Sequence, residues 1–274
     1  NEVEILHKVD HPHIAKYFET YDEPNYIYMV MELLPGGELY DKIIDNLTPF
    51  TEKEASQIVY KCIKALNHCH DLNIIHRDPK PENIVFDAEK EPKIIDFGLA
   101  IDQPKENCWM DSVGSPYYMA PEMLFGKYGK EVDVWSMGVI IFQLLTGEYP
   151  FDGYTPATIA EKIRIGSFDM PKNISKNAQD LLSGMLEYRY DRRMNFKDCL
   201  EHPWFTKPTD VKINFETINR LKAYKAQSVL KEAVMNQLIK QLSPQVTKQL
   251  REQFDAIDTD KNGILDIKEL EQAA

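Results

Sequence analysis

The sequence predicts an α+β fold in which short strands hold polar loops and apolar helices build the core. Aromatic and β-branched residues, which favour strands, dominate residues 26–31 and residues 84–86, and residues 93–95 repeat the pattern. The apolar run at residues 134–145 is too short to span a bilayer and is interrupted by serine, glycine and glutamine. It therefore predicts a buried core helix.

Two further helices follow from periodicity and capping. Residues 2–9 repeat apolar side chains at helical spacing, and we expect this helix to stop before Pro12 because proline cannot continue it. Thr51 and Glu54 are spaced as a capping box, in which each side chain bonds a backbone amide at the helix start. A long buried helix is predicted after them, with the apolar face Ile58, Cys62, Ala65, Leu66 and Cys69.

Size and charge limit the classes of function. The 274 residues, 43% of them apolar, can bury a large core as one large domain or two. A net charge of -12 argues against nucleic acid or an anionic membrane as the main partner, and it favours basic peptides.

Cysteine spacing and the chain start bear on location. The four cysteines show neither metal-ligand nor disulfide spacing, which is typical of a reducing compartment, so we expect a cytoplasmic protein. The sequence shows no signal peptide and no transmembrane segment. Because it begins inside a predicted helix, we expect an upstream segment to be missing, and membrane anchoring through such a segment stays open.

The residues best suited to chemistry lie between positions 74 and 98. Asp78 can accept the proton of an attacking hydroxyl, and Lys80 can neutralise charge on a moving phosphoryl group. Asn83 and Asp96 offer hard oxygen ligands to Mg²⁺. Such a set suits phosphoryl transfer, in which positioning and electrostatics do most of the catalysis.

Three motifs carry a resemblance to a known family. His-Arg-Asp ends at Asp78, Lys-Pro-Glu-Asn ends at Asn83, and Asp-Phe-Gly begins at Asp96. In this order and spacing the chain resembles a eukaryotic-type protein kinase, which implies a mainly helical large lobe and ATP as the phosphoryl donor. The family's strand-borne lysine and glycine-rich loop do not occur in the sequence, so we expect most of the small lobe to be missing.

The resemblance implies further contacts with nucleotide and substrate. Glu2 matches the glutamate that pairs with the ATP-binding lysine, and Met31 matches the residue that guards the adenine pocket. Glu38 matches a residue near the ribose and the incoming peptide, and Glu82 adds a second carboxylate beside the peptide path. The full set of expected cofactor-binding residues is Glu2, Met31, Glu32, Leu34, Glu38, Glu82 and Val85, with Glu32 and Leu34 acting through backbone groups.

Two structural interactions are implied as well. Asp133 matches the aspartate that braces the backbone of the loop carrying Asp78. Arg193 matches the arginine that pairs with Glu122. We expect both to support the fold rather than to take part in the chemistry.

Two positions leave alternatives open. Asp111 stands where many kinases carry a phosphorylated threonine that docks on the arginine numbered Arg77 here. Its carboxylate either supplies part of that charge or is a solvated loop acid. Pro79 stands where the family usually has leucine, and proline removes an amide donor and restricts Asp78 before it.

The last part of the sequence predicts a calcium module. Residues 208–245 read as a linker and a long helix, basic near its start and apolar on one face, which is typical of a calmodulin target. Residues 258–269 then form a complete EF-hand loop, with glycine at its sixth position and a closing glutamate. The expected Ca²⁺ ligands are Asp258, Asp260, Asn262, Ile264, Asp266 and Glu269.

The order of these parts resembles the calmodulin-domain, or calcium-dependent, protein kinases of plants and protozoa. We expect a partial catalytic domain at residues 1–207, an autoinhibitory junction helix at 208–245 and the first EF-hand at 246–274. That family carries four EF-hands, so we expect a piece cut at both ends and nearly inactive by itself.

The resemblance implies a calcium-regulated serine/threonine kinase that uses ATP, Mg²⁺ and Ca²⁺. Its expected partners are protein substrates with basic residues before the target hydroxyl, together with an intramolecular contact between the EF-hand and the junction helix. The alternative is a kinase-shaped calcium-binding scaffold without catalysis. The presence of Asp78, Lys80, Asn83 and Asp96 favours the enzyme, because a scaffold needs neither a base nor metal ligands at these spacings.

Overall fold

The computed structural model describes residues 2–23, 26–41, 51–102 and 113–206. The chain divides into two units, residues 1–222 and 223–274, and all described residues belong to the first. The predicted junction helix and the EF-hand lie outside the described residues, as does Asp111. Within the described part, strands and helices mix as the predicted α+β class requires.

The chain opens with a short helix and one strand pair. Helix α1 covers Glu2–Leu6, and it is followed by the antiparallel strands β1 (Tyr17–Glu23) and β2 (Tyr26–Met31). The prediction of a helix over residues 2–9 was too long. The Lys8 amide bonds the Ile5 carbonyl three residues back, which is a tighter turn than the α-helix, and the chain then turns toward Pro12.

Helix α2 (Glu52–Asp71) begins at the predicted capping box. The Glu54 amide donates to the Thr51 hydroxyl over 3.2 Å, and the Thr51 amide donates to the Glu54 carboxylate over 2.6 Å. The predicted buried face is correct except that Ile58 is half-buried and its neighbour Val59 is fully buried. The buried apolar side chains of this helix are Ala55, Val59, Cys62, Ile63, Ala65, Leu66 and Cys69.

Helix α3 (Glu131–Thr146) is the core helix that the apolar run predicts. All fifteen residues after Glu131 are buried, since α2 and later helices surround it. A Cβ atom on Gly138 would lie 2.9 Å from the Leu186 side chain, so glycine allows close packing at this point. Further helices in the described part are α4 (Pro156–Ile165), α5 (Lys176–Met185), α6 (Phe196–Glu201) and α7 (Pro203–Thr206).

Two short strand pairs hold the polar loops. Strand β3 (Ile74–Ile75) pairs with β6 (Ile101–Asp102), and β4 (Ile84–Phe86) pairs with β5 (Pro92–Ile94). The predicted strand at 93–95 is therefore shifted by one residue. The Ile95 amide still donates to the Asn83 carbonyl, but Asn83 ends a 3-10 helix, so the ladder stops at Ile94.

Buried charges join distant parts of the helical region. Arg193 donates two hydrogen bonds to the Glu122 carboxylate, one of them 2.9 Å long, as the resemblance implied. The Glu52 carboxylate accepts from the Ser175 amide, the Ser175 hydroxyl and the Trp204 indole at 2.8–3.0 Å. Among the described helices, none has the length and hydropathy needed to cross a membrane.

Candidate active site

The core helix α3 holds the loop of residues 76–83 through one side chain. Asp133, in the first turn of α3, is fully buried and accepts from the His76 amide at 2.9 Å and the Arg77 amide at 2.8 Å. His70, near the end of α2, reaches the same carboxylate with its Nε2 over 2.8 Å. One carboxylate therefore joins two helices to the loop.

The surroundings of Asp133 keep it charged. Burial by itself would raise the pKa of this carboxyl, but the His70 hydrogen bond, the charges of His70 and His76 and the His76 amide together hold the pKa below its ordinary value. The charge matters locally, because Arg77 has a φ of 70°, a left-handed conformation that non-glycine residues rarely adopt. The bonds from Asp133 to two consecutive amides stabilise this backbone turn.

Asp78 lies at the centre of a small polar cluster. Its side chain is buried, and its two oxygens accept from Lys80 Nζ at 2.6 Å and from the Ser115 amide at 2.8 Å. Lys80 Nζ also donates to the Ser115 hydroxyl over 3.2 Å. A Cβ atom on Gly114 would lie 2.8 Å from the Arg77 carbonyl, so only glycine lets this segment approach so closely.

Asn83 and Asp96 come together at the open end of the β4–β5 pair. Asn83 directly precedes β4, Asp96 follows β5 by two residues, and the Ile95 amide bonds the Asn83 carbonyl at 3.0 Å. The Asn83 amide nitrogen donates to the Asp78 carbonyl over 3.0 Å, which leaves its side-chain oxygen for another partner. The donor set of one amide oxygen and one exposed carboxylate fits Mg²⁺.

Glu2 lies beside the Asp-Phe-Gly segment. Burial and the nearby charge of Asp96 raise its pKa, while a hydrogen bond from the Phe97 backbone acts in the opposite direction. A Cβ atom on Gly98 would lie 3.6 Å from a Glu2 carboxylate oxygen. The structure therefore places the predicted partner of the ATP-binding lysine within reach of the predicted Mg²⁺ ligand.

Hydrogen bonds of Glu32 hold the segment after β2 in place. The Glu32 side chain accepts from Lys93 Nζ at 2.7 Å and from the Lys16 amide at 3.0 Å, and the Glu32 amide donates to the Lys16 carbonyl. These bonds occupy the Glu32 amide. Met31, at the end of β2, and Leu34 are both half-buried.

Two acidic residues, Glu38 and Glu82, lie close to strand β4. Gly36 donates to the Phe86 carbonyl, and Glu38 forms an antiparallel bridge with Val85, which brings residues 36–38 onto the strand. Glu82 precedes this strand and has a raised pKa. Burial is the main cause, while Lys80 lowers the pKa and the charges of Glu38 and Asp78 raise it. The structure thus gathers Glu38, Val85 and Glu82 at one edge.

Two residues of this cluster, His70 and Ser115, lie outside the sequence motifs. His70 has only its spacing of six residues before His76 as a signal, and Ser115 has only its place after Gly114. Both act through contacts between segments far apart in the chain, which a pattern of local residue types does not reveal. The predicted Ca²⁺ ligands lie outside the described residues.

Comparison with known proteins shows the family to which this chain is similar. Residues 1–205 match the family described as protein kinase domain. Calcium-dependent protein kinase 29 of Arabidopsis thaliana is 39% identical over 279 residues, covering 98% of this chain and 52% of the relative. Calcium-dependent protein kinase 5 of Plasmodium falciparum (isolate 3D7) is 37% identical over 284 residues, covering 99% of this chain and 50% of the relative.

The similarity to these relatives extends beyond residues 1–205. The chain spans about half the length of the curated relatives that it matches, and the aligned part includes nearly all of its own residues. The family match covers three quarters of the chain and contains the whole cluster around Asp78. The chain therefore belongs to the protein kinase domain family.

Proposed function

We propose that the complete protein is a serine/threonine kinase that transfers the γ-phosphate of ATP to protein hydroxyls. The observation that carries the proposal is the Asp78 carboxylate, buried and held by Lys80 and Ser115 next to Asn83 and Asp96. A base, a cation and two oxygen ligands for a metal ion are the groups that phosphoryl transfer requires. The His-Arg-Asp form of the loop, with Lys80 two residues after Asp78, supports a hydroxyl of serine or threonine as the acceptor.

The residues of the chain have separate roles in this reaction. Asp78 accepts the proton of the attacking hydroxyl, and the Ser115 amide and Lys80 fix the direction of its carboxylate. Lys80 also places its positive charge near the transferred group. Asn83 and Asp96 would hold Mg²⁺, which when bound neutralises charge on the phosphates of ATP. Glu2, Met31, Glu32, Leu34 and Val85 would contact the nucleotide or its lysine partner, as the resemblance implies.

Substituting the base tests the enzyme against the scaffold. In the full-length gene product, Asp78→Asn or Asp96→Ala should lower kcat by roughly two to four orders of magnitude, because each removes a positioned base or metal ligand. Steady-state transfer of labelled phosphate to a serine peptide measures this. Glu201→Gln, an exposed carboxylate at the end of α6, is the control and should leave kcat unchanged. A wild type without kinase activity would support the scaffold, and equal activity of wild type and Asp78→Asn would exclude Asp78 as the base.

We propose further that preferred substrates carry a basic residue a few positions before the target hydroxyl. Glu38 and Glu82 lie at the edge of β4 close to the base, and the chain is acidic overall. A basic side chain would pair with these carboxylates, and complementary charges of this kind favour one substrate over another. Because burial raises the pKa of Glu82, its charge is lost at a higher pH than that of an ordinary glutamate.

The pH dependence of peptide binding checks this preference. Glu82 is ionised above its raised pKa, so KM for a peptide with an arginine before the serine should increase as the pH falls toward that pKa. In Glu82→Gln the same KM should be higher at neutral pH, by about twofold to fivefold, and should lose this pH dependence. A matched peptide with glutamine in place of arginine is the control. A wild-type preference for the glutamine peptide would show that these glutamates do not read the substrate.

Calcium control is the third part of the proposal. The relatives named above are called calcium-dependent, and residues 258–269 carry a full set of EF-hand ligands. We propose an autoinhibitory helix at residues 208–245 and an EF-hand module from residue 246 onward. In the inhibited state the basic residues of the helix would occupy the acidic surface that binds substrates. Ca²⁺ can release the helix only if the calcium-loaded module binds the helix more tightly than the catalytic domain does.

Deleting the helix separates this control from catalysis. In the full-length gene product, activity should increase with Ca²⁺, and Glu269→Gln should weaken that response by removing the bidentate ligand. Deletion from Phe215 onward should raise activity without Ca²⁺ to at least one tenth of the stimulated level. Activity that is independent of Ca²⁺ in the intact protein would contradict this form of control.

The described cysteines agree with the expected cytoplasmic location, which we retain as part of the proposal. Cys62, Cys69 and Cys199 are buried free thiols. Burial raises the pKa of Cys62 and Cys199 to about 12, so these groups stay protonated and serve as apolar core residues.

A further inference from the structure

The guanidinium of Arg77 is held by Tyr128, which lies outside the three motifs named above. Arg77 Nη1 donates a hydrogen bond to the hydroxyl oxygen of Tyr128 over 3.0 Å. On its other side, Arg77 Nε donates to the Leu99 carbonyl over 2.5 Å. We propose that Tyr128 is a positioning residue for phosphoryl transfer, and that it acts by fixing Arg77. The proposal rests on the kinase activity proposed above.

Tyr128 is well placed for this role. Its side chain is buried, with a relative exposure of 8%, although its ring carries a polar hydroxyl. It lies between the 3-10 helix Pro121–Phe125 and helix α3, five residues before Asp133. The segment that leads into helix α3 therefore holds Arg77 at two points. Asp133 accepts from the Arg77 backbone amide, and Tyr128 accepts from the Arg77 guanidinium.

Arg77 connects two parts of the site. Arg77 precedes Asp78 in the chain. Its strained backbone therefore sets the direction in which the Asp78 side chain points. Leu99 follows the Asp-Phe-Gly segment, so the Arg77–Leu99 bond ties the predicted Mg²⁺ ligand to the base. A guanidinium makes hydrogen bonds in a fixed planar fork, so removing one acceptor allows the whole fork to rotate.

The chemistry of the acceptor is also informative. A phenol oxygen is neutral, so it accepts from Arg77 without a second buried charge and without the desolvation cost of a carboxylate. Its ring is packed in the core, which limits the positions that the hydroxyl can take. Tyr128 thus gives the arginine a permanent partner that requires neither phosphate nor another modification.

The direct test is Tyr128→Phe in the full-length gene product, assayed at saturating Ca²⁺ and well below the melting temperature. The ring remains and only the hydroxyl is lost, so the fold should persist. We expect kcat to fall about tenfold to a hundredfold, as for the loss of one hydrogen bond to a charged group, while KM for ATP and for peptide stays within about twofold. Tyr190→Phe, at an exposed tyrosine, is the matched control and should leave kcat unchanged.

A double-mutant cycle shows whether the effect passes through Arg77. In an Arg77→Met background, Tyr128→Phe should lower kcat no further, because the hydrogen bond to Arg77 is already gone. Effects of the two substitutions that multiply in kcat would overturn the proposal.

The outcomes separate this proposal from the proposed function. A wild-type protein without kinase activity would overturn the proposed function and the positioning role together. An active wild type whose kcat is unchanged by Tyr128→Phe would overturn the positioning role alone. A variant that increases KM with an unchanged kcat would also contradict it, because positioning of the base affects the chemical step.

Discussion

A charged carboxylate buried in the core helix holds the loop that carries the proposed base. Asp133 has no exposed surface, yet it accepts hydrogen bonds from the His70 ring and from the amides of His76 and Arg77. Burying an ion costs several kcal/mol unless its oxygens are satisfied, and here three donors offset that cost. Because two of the donors are consecutive amides, the same interaction fixes the left-handed backbone of Arg77.

Other features of the site depend on this anchor. With the Arg77 backbone fixed, Asp78 meets Lys80 and Ser115, and the carbonyl of Asp78 accepts from Asn83. The β4–β5 pairing then brings Asp96 to the same end as Asn83. Apart from the Lys80 contact, each step uses a short strand or a hydrogen bond to a backbone group, which suits chemistry that depends on position.

The sequence predicted those parts of the structure that local chemistry determines. The capping box at Thr51, strands β2 and β4, and the core helix were all correct, since capping, β-branching and a continuous apolar run act over a few residues. The pairing of Arg193 with Glu122 and the brace at Asp133 were also found as expected, through the family resemblance.

Most errors and omissions come from interactions that are distant in sequence. The buried face of α2 includes Val59 because tertiary packing decides it. Helix α1 instead ends at Leu6 because of a local turn, in which the Lys8 amide bonds the Ile5 carbonyl. His70, Ser115 and Tyr128 each act on a loop more than five residues away, so no local pattern marks them. The roles of the site residues and of the calcium ligands stay predictions.

The charge of Asp133 holds this loop, and Asp133→Asn removes that charge with almost no change in shape. At neutral pH the free energy of unfolding should fall by about 3–5 kcal/mol, as when one partner of a buried charged network is removed. The pKa of Asp133 is depressed below 3.8 in the folded protein, so its contribution is present above that pH and is lost as the pH falls through the folded value. The difference between wild type and variant in urea unfolding should therefore be constant near neutrality and shrink below about pH 4. Equal unfolding free energies at pH 7 would contradict the account.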